Sequence, residues 1–223
     1  METGHKNSGA RESILSSIRR NLNASLPFDA VNREHHGHAD EIRVITPASL
    51  DIQTLTENFK ANVESVGGKC TVVNSEAEAA AKILEVVSSI GAKTIAISDA
   101  GIVKRLVEHA GIPVTENASK EYLFGSDLGI TSAQWAIAET GTLVLESGRE
   151  SHRLTSLIPP VHLCILNAGN ILQTLGEILE TTSKELSAAV TFITGASRTS
   201  DIELTLAIGV HGPGELHVII ITD

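Results

Sequence analysis

The sequence predicts an α/β protein with a mostly parallel β-sheet and helices on both faces. Short runs rich in β-branched residues alternate with segments whose apolar residues recur every three or four positions, which is typical of βαβ units. Glycines and capping residues mark the ends of several helical segments. The apolar residues AVILMFWYC make up 42% of the 223 residues, which allows a sizeable core.

The first 48 residues are predicted to form an N-terminal helix and a polar linker. Residues 10–24 have the spacing of a short amphipathic helix. Its apolar stripe consists of Ile14, Leu15, Ile18 and Leu22. The linker contains His35, His36 and His38, and imidazole can ligate zinc, copper or nickel, but no nearby cysteine completes a familiar zinc spacing. We therefore interpret these histidines as part of a surface linker and predict no metal site.

An α/β domain is predicted over residues 49–223. Its strands are short apolar runs, KCTVV (69–73), TIAIS (94–98), TLVLE (142–146), HLCIL (162–166), TFIT (191–194) and LHVIII (216–221). Its helices are predicted over residues 52–66, 76–90, 101–110, about 171–187 and about 200–208.

Helix boundaries are predicted from individual residues. Ser75 and Glu78 have the spacing of a capping box and Gly91 follows the last apolar residue of that helix. Gly67 ends the preceding helix, and Asp99 is predicted to cap the following one.

Composition excludes several classes of function. The chain has 17 basic and 27 acidic residues, a net charge of −10, and few aromatic residues, so it lacks the basic, stacking surface of a nucleic-acid-binding protein. No apolar run approaches the ~20 residues of a membrane span, and the N-terminus has no apolar leader. Cys70 and Cys164 lie in strand-like runs and are predicted to be buried free thiols of a cytoplasmic protein. Two cysteines cannot supply the four usual thiolates of an iron–sulfur cluster, and no cofactor is predicted.

The segment after the strand TFIT is the first candidate site. Ligands of open α/β sheets gather beyond the carboxyl ends of the strands, and we predict that this strand delivers the segment to that edge. A helix start offers free N–H groups to an anion, and Arg198 adds a planar fork suited to carboxylate or phosphate. The predicted anion-binding residues of this segment are Gly195, Ser197, Arg198, Thr199 and Asp201. The alternative is a capped helix with an exposed arginine.

Two further segments carry candidate residues. Glu139 lies at a glycine turn, where it could act as a nucleophile or general base, or could cap the turn. Gly141, Ser147 and Arg153 flank the strand that follows and complete the predicted anion site. His211 lies in a Gly-Pro turn six residues before His217, a pair that could bind metal or could be a turn histidine and a core histidine. We adopt the second interpretation and assign His211 to the anion site.

Three long motifs resemble the signature of the lactate-utilisation protein C family, also called the LUD-domain family. They lie between about Gly129 and Ile221, and read AIAETGTLVLESG, RLTSLIPPVHLCIL and TFITGASRTSDIELTLAIGVHGPGELHVII. Ala196 and Ser200 stand where family members often have Pro and Ala.

The resemblance implies a fold similar to that of ribose-5-phosphate isomerase and the CoA transferases. It also implies a role in bacterial oxidation of L-lactate to pyruvate, beside iron–sulfur partner proteins. Two hypotheses follow: an accessory or ligand-binding subunit of that system, or a free-standing enzyme of acyl, CoA or phosphosugar chemistry, with Glu139 as the attacking carboxylate in acyl or CoA transfer.

Overall fold

A computed structural model describes residues 7–24, 50–114, 119–148, 153–183, 187–199, 207–209 and 212–223. The chain divides into two compact units, Met1–Ala48 and Ser49–Asp223. In the first unit, helix α1 (Asn7–Ala24) confirms the predicted N-terminal helix, and Ile14 and Ile18 of its apolar stripe are exposed. The cluster His35, His36 and His38 lies outside the described residues.

The second unit contains five of the described helices and all of the described strands. The helices are α2 (Ile52–Ser65), α3 (Glu76–Ile90), α4 (Gly101–His109), α5 (Lys120–Phe124) and α6 (Leu175–Thr182). The strands are β1 (Lys69–Val73), β2 (Ile95–Ile97), β3 (Leu128–Ser132), β4 (Trp135–Ile137), β5 (Thr142–Glu146), β6 (Val161–Asn167), β7 (Ile171–Leu172), β8 (Val190–Ile193), β9 (Arg198–Thr199), β10 (Ala207–Ile208) and β11 (Glu215–Ile221). Two short 3-10 turns lie at Arg153–Ser156 and Ala168–Asn170.

The main sheet has five strands in the order β1-β11-β6-β3-β2. Every neighbouring pair is parallel, which confirms the predicted α/β class. β11 and β6 run in register from Glu215 opposite Val161 to Ile221 opposite Asn167, so the amino ends of these two strands lie side by side.

The two faces of this sheet are covered differently. One face packs against α3 and α4, through side chains such as Ile83 and Leu106. The opposite face packs against Phe59 and Val63 of α2 and against residues of β4 and β5. Helices therefore lie on both faces, as predicted, but a second sheet shares one face with α2.

That second sheet corrects the predicted placement of two strands. Its order is β7-β4-β5-β8, and β5 pairs antiparallel with both β4 and β8. The runs TLVLE and TFIT are therefore strands, as predicted, but they do not belong to the parallel sheet. All five residues of β5 are buried, so its sequence is as apolar as that of a parallel-sheet strand.

Most helix boundaries agree with the sequence. Ser75 accepts a hydrogen bond from the Glu78 backbone N–H, and Gly91 ends α3 in the left-handed region with φ +66°. Asp99 was predicted to cap α4, but the N-cap residue is Ala100, which makes no side-chain hydrogen bond. The helix predicted over about 200–208 is wrong at residues 207 and 208, which form β10 and pair antiparallel with β9.

Both cysteines are buried free thiols, as predicted. Burial raises the pKa of the Cys70 thiol to about 12. None of the helices in the described parts of the chain is long and apolar enough to cross a membrane.

Candidate functional site

A cavity of about 320 Å³ lies at the amino ends of β6 and β11. His162 and Leu216, the second residues of these strands, form part of its wall, and Ser156 and Pro213 come from the segments that precede them. Residues 191–193 of β8 and the segment 194–198 that follows complete the wall. This position overturns the expectation that the segment after TFIT reaches the carboxyl edge of the parallel sheet, since TFIT runs antiparallel in the other sheet.

Gly195 allows the segment after TFIT to pack against the C-terminal end of helix α2. Gly195 has φ +76°, and a Cβ built there would lie 2.9 Å from the carbonyl oxygen of Val66, the C-cap of α2. Only glycine allows both the conformation and this approach. The Ser197 N–H then donates to the Pro213 carbonyl at 2.8 Å, which joins the segment to the turn before β11.

Arg198 lies in the cavity wall, and its guanidinium also caps the C-terminal end of helix α2. Nη2 donates to the Val66 carbonyl at 2.6 Å, a group left without an intrahelical partner at the helix end. The positive charge is favoured there because the C-terminus of a helix carries partial negative charge. A Cβ at Gly67 would approach Nη2 to 2.9 Å, so this glycine leaves room for the arginine.

His162 is the most buried ionisable group of the cavity, with 1% of its surface exposed. Its Nε2 forms a 2.8 Å hydrogen bond with the Thr131 hydroxyl. Its Nδ1 has no hydrogen-bond partner among the described residues. Desolvation lowers the pKa of this imidazole to about 3, so the ring is neutral at physiological pH.

Hydroxyl groups supply further polar atoms near the cavity. The Thr194 hydroxyl is 2.7 Å from that of buried Thr142, which is 2.7 Å from that of Thr140. Ser156 donates to the carbonyl of Arg153. No carboxylate belongs to the cavity lining, as far as the described residues show. Charge and hydrogen-bond donors therefore suit the cavity to an anion.

The predicted residues are only partly brought together. Gly195, Ser197 and Arg198 line the cavity, whereas Gly141, Ser147 and Arg153 do not. The Ser147 hydroxyl accepts from the Ala189 N–H at 2.9 Å, and Gly141, with φ +65°, packs against α2. Thr199 is described only as part of β9, while Asp201 and His211 lie outside the described residues.

Glu139 lies apart from the cavity. Its Oε1 accepts a hydrogen bond from the backbone N–H of Leu175, the first residue of α6, at 3.1 Å. A carboxylate is favoured at this position because the N-terminus of a helix carries partial positive charge. This contact gives Glu139 a structural partner at a helix end that lies 36 positions away in the chain.

Sequence reasoning did not select His162 as a site residue. The residue lies in an apolar run, where a histidine looks like any other core residue. The available signal was the polar side chain itself. An imidazole in a buried strand needs two hydrogen-bond partners, and the side chains of the adjacent residues, Val161 and Leu163, offer none. Thr131, its partner, is 31 residues away in the chain.

A second histidine lies outside the cavity lining. His217 Nε2 is 2.8 Å from Glu215 Oε1, and the same carboxylate pairs with Lys69 on the neighbouring strand. Burial is the main cause that lowers the pKa of His217, while Glu215 opposes the shift. No group of three or more His, Cys, Asp or Glu side chains in the described ranges is arranged to hold a metal ion.

Comparisons with known proteins identify relatives across the second unit. The family model of the LUD domain matches residues 56–221. The chain is 28% identical to "Lactate utilization protein C" of Geobacillus sp., with 96% of each chain covered. It is 30% identical to the uncharacterized protein YkgG of Escherichia coli, covering 68% of this chain and 72% of that protein.

A further relative matches over a shorter stretch, and the chain also resembles a solved structure. An uncharacterized Neisseria meningitidis protein is 38% identical over 45% of each chain, so the match spans about half of that relative. The crystal structure of a DUF162 family protein from Deinococcus radiodurans has a TM-score of 0.60 and 26% identity, and covers 78% of this chain and 99% of that one.

Proposed function

Because the chain belongs to the LUD domain family, we propose that it is an accessory, ligand-binding subunit of a bacterial system that oxidises L-lactate to pyruvate in the cytoplasm. Relatives named "Lactate utilization protein C" support the pathway. In this proposal the subunit acts with iron–sulfur partner proteins, since its two cysteines are buried and too few to hold a cluster.

The proposed ligand-binding role rests on the cavity at the amino ends of β6 and β11. Its volume of about 320 Å³ is at the lower end of small-molecule sites. Arg198 supplies positive charge at a wall that has no carboxylate within the described part of the chain. We therefore assign a small anionic molecule to this cavity.

A genetic experiment tests the pathway. Deleting the gene from its own genome should abolish growth on L-lactate as the sole carbon source and leave growth on pyruvate unchanged, because only the oxidation step is removed. Complementation with the wild-type gene is the control. Affinity purification of the tagged protein from lactate-grown cells should recover iron and acid-labile sulfide with it. Undiminished growth of the deletion strain on lactate would refute the proposed pathway.

Arg198→Ala tests the anion site. Charge-assisted hydrogen bonds are worth about 1.5–3 kcal/mol, so binding of the anion should weaken roughly ten- to a hundredfold. Calorimetry against lactate, pyruvate, phosphosugars and CoA esters measures the effect. Arg105→Ala is the matched control, because it removes an exposed arginine that pairs with Glu76 on another part of the surface. Equal affinity of wild type and Arg198→Ala for the anion would contradict the assignment.

The alternative of a free-standing acyl or CoA transferase places the reaction at Glu139. The contact between Glu139 and the N-terminus of α6 gives that carboxylate a structural role and does not favour transferase chemistry. Mass spectrometry after incubation with acyl-CoA compounds distinguishes the two functions, since a thioester adduct on Glu139 requires the transferase.

A further inference from the structure

Three threonine hydroxyls form a hydrogen-bonded chain that ends at the cavity wall. Thr142, the first residue of β5, is 5% exposed, and its hydroxyl lies 2.7 Å from that of Thr194. Continuation of the register of β5 and β8 places these two residues opposite one another, next to the pair Leu143 and Ile193. On its other side, the Thr142 hydroxyl lies 2.7 Å from that of exposed Thr140. Because Thr194 is exposed and forms part of the cavity wall, the chain runs from the surface through a buried hydroxyl to the cavity.

This chain can be hydrogen-bonded in two directions, because each hydroxyl has one proton to donate and two lone pairs that accept. In the first direction, Thr140 donates to Thr142 and Thr142 donates to Thr194, which leaves the Thr194 proton for an acceptor in the cavity. In the reverse direction, Thr194 donates to Thr142, and only the Thr194 oxygen is left to interact with a bound molecule. The buried Thr142 hydroxyl donates one hydrogen bond and accepts one in either direction.

An anion in the cavity is complementary to only the first direction. Its charged oxygens accept hydrogen bonds and donate none, so they require the Thr194 proton rather than its lone pairs. When Thr142 donates to Thr194, that bond polarises the Thr194 hydroxyl and strengthens it as a donor. Thr194 is exposed, so a bound molecule can contact it without a change in the fold.

We propose that Thr194 is a hydrogen-bond donor to the anion bound in this cavity, and that Thr142 is a positioning residue that directs the Thr194 proton towards it. The inference rests on the proposed ligand-binding function and adds two residues to the site. Threonine pairs on neighbouring strands also stabilise sheets without any ligand. A test must therefore separate effects on binding from effects on stability.

Calorimetry on the full chain with L-lactate, pyruvate and inorganic phosphate as probes measures binding. Thr194→Val keeps the branched shape of the side chain and removes its hydroxyl, so binding of the anion should weaken at least about tenfold. Thr194→Ser keeps the hydroxyl and should retain the wild-type affinity to within about threefold. Thr71→Val is the matched control, because it makes the same change on β1, outside the cavity lining.

The other two hydroxyls should give different effects on affinity. Thr142→Val removes the donor to Thr194 and should weaken binding about two- to tenfold. Thr140→Val leaves Thr194 as the acceptor for the Thr142 proton among the described residues. A buried hydroxyl proton without an acceptor is costly, so Thr142 then donates to Thr194 and the first direction is fixed. Affinity in Thr140→Val should therefore be unchanged or up to about twofold tighter.

Urea unfolding of each variant separates the two roles, since a purely structural pair would change the unfolding free energy and leave the affinity of the folded protein unchanged. Unaltered affinity in Thr194→Val, equal losses in Thr140→Val and Thr142→Val, or no binding of any of the three anions by the wild type would overturn the inference. If Thr194→Val binds normally while Arg198→Ala binds weakly and the deletion strain fails to grow on lactate, the proposed function stands without it.

Discussion

Arg198 illustrates how one side chain can serve both the fold and a site. The guanidinium has five N–H donors, and the bond to the Val66 carbonyl uses one end of the group. That bond fixes the orientation of the arginine beside the cavity, so less conformational entropy is lost when an anion binds. Glycines at positions 67 and 195 make this packing possible, because a Cβ at either position would lie 2.9 Å from an atom of this contact.

At the residue scale, His162 also couples stability to pH. Its pKa is about 3 in the folded chain and near 6.5 when exposed, so the unfolded state binds a proton between these values and the folded state does not. Stability from this group is therefore full above pH 6.5 and is lost as the pH falls towards 3. One group of this kind lowers the unfolding free energy by about 2 kcal/mol between pH 8 and pH 5.

Urea unfolding at pH 8 and pH 5 measures this dependence, with His162→Gln as the comparison. The variant should lose less stability than the wild type on acidification, by about 2 kcal/mol. His217, whose pKa is also lowered, contributes in the same direction but equally in both proteins. The same pH dependence in both would show that His162 is not the group responsible.

At the element scale, Glu139 is expected to stabilise helix α6. Glu139→Ala removes the acceptor for the Leu175 N–H and a negative charge at a helix N-terminus, and should lower the unfolding free energy by about 0.5–1 kcal/mol. Glu139→Gln keeps the acceptor and should lose less. Binding of the cavity ligand should be unchanged in both variants. Loss of growth on L-lactate in a strain that carries a stable Glu139→Gln variant would instead favour a catalytic carboxylate.

The sequence predicted the elements better than their partners. Ser75, Glu78 and Gly91 fix helix α3 through contacts within a few residues, and such contacts can be inferred locally. TLVLE has the same apolar pattern whether it lies in a parallel sheet or, as β5, in a buried antiparallel one, so its sheet could not be assigned. Strand β3 was not predicted because Gly129 weakens the strand pattern.

Gly129 is nevertheless required by the tertiary structure. A Cβ there would lie 2.0 Å from the carbonyl oxygen of Thr155, in the 3-10 turn that packs on this strand. As with the fold, the part of the candidate site that depends on neighbouring residues in the sequence was predictable, and the part that depends on distant contacts was not. Gly195, Ser197 and Arg198 lie within four positions of one another in a segment with an evident motif, whereas His162 is placed in the cavity wall only by contacts between segments that are distant in the chain.

At the scale of the whole molecule, independent folding of residues 49–223 is a prediction. All three described sheets and their covering helices lie within this unit, so deletion of residues 1–48 should leave a folded, soluble protein with the same far-UV circular dichroism per residue in its α/β part. Analytical ultracentrifugation of both forms would show whether the exposed stripe of Ile14 and Ile18 contributes to self-association. Failure of the shortened chain to fold would make the N-terminal segment part of the domain.

The position of β11 in the sheet has a consequence for biosynthesis. β1 pairs with no described strand except β11, and the ion pair between Lys69 and Glu215 at their amino ends joins residues 146 positions apart. On the ribosome, β1 therefore emerges long before its partner strand is synthesised. Until then, the edge of β1 that pairs with β11 and much of its apolar surface remain uncovered. Such distant pairing slows folding and prolongs exposure to aggregation. This chain should thus complete its sheet only after synthesis of residue 221, and should depend on chaperones in the interval.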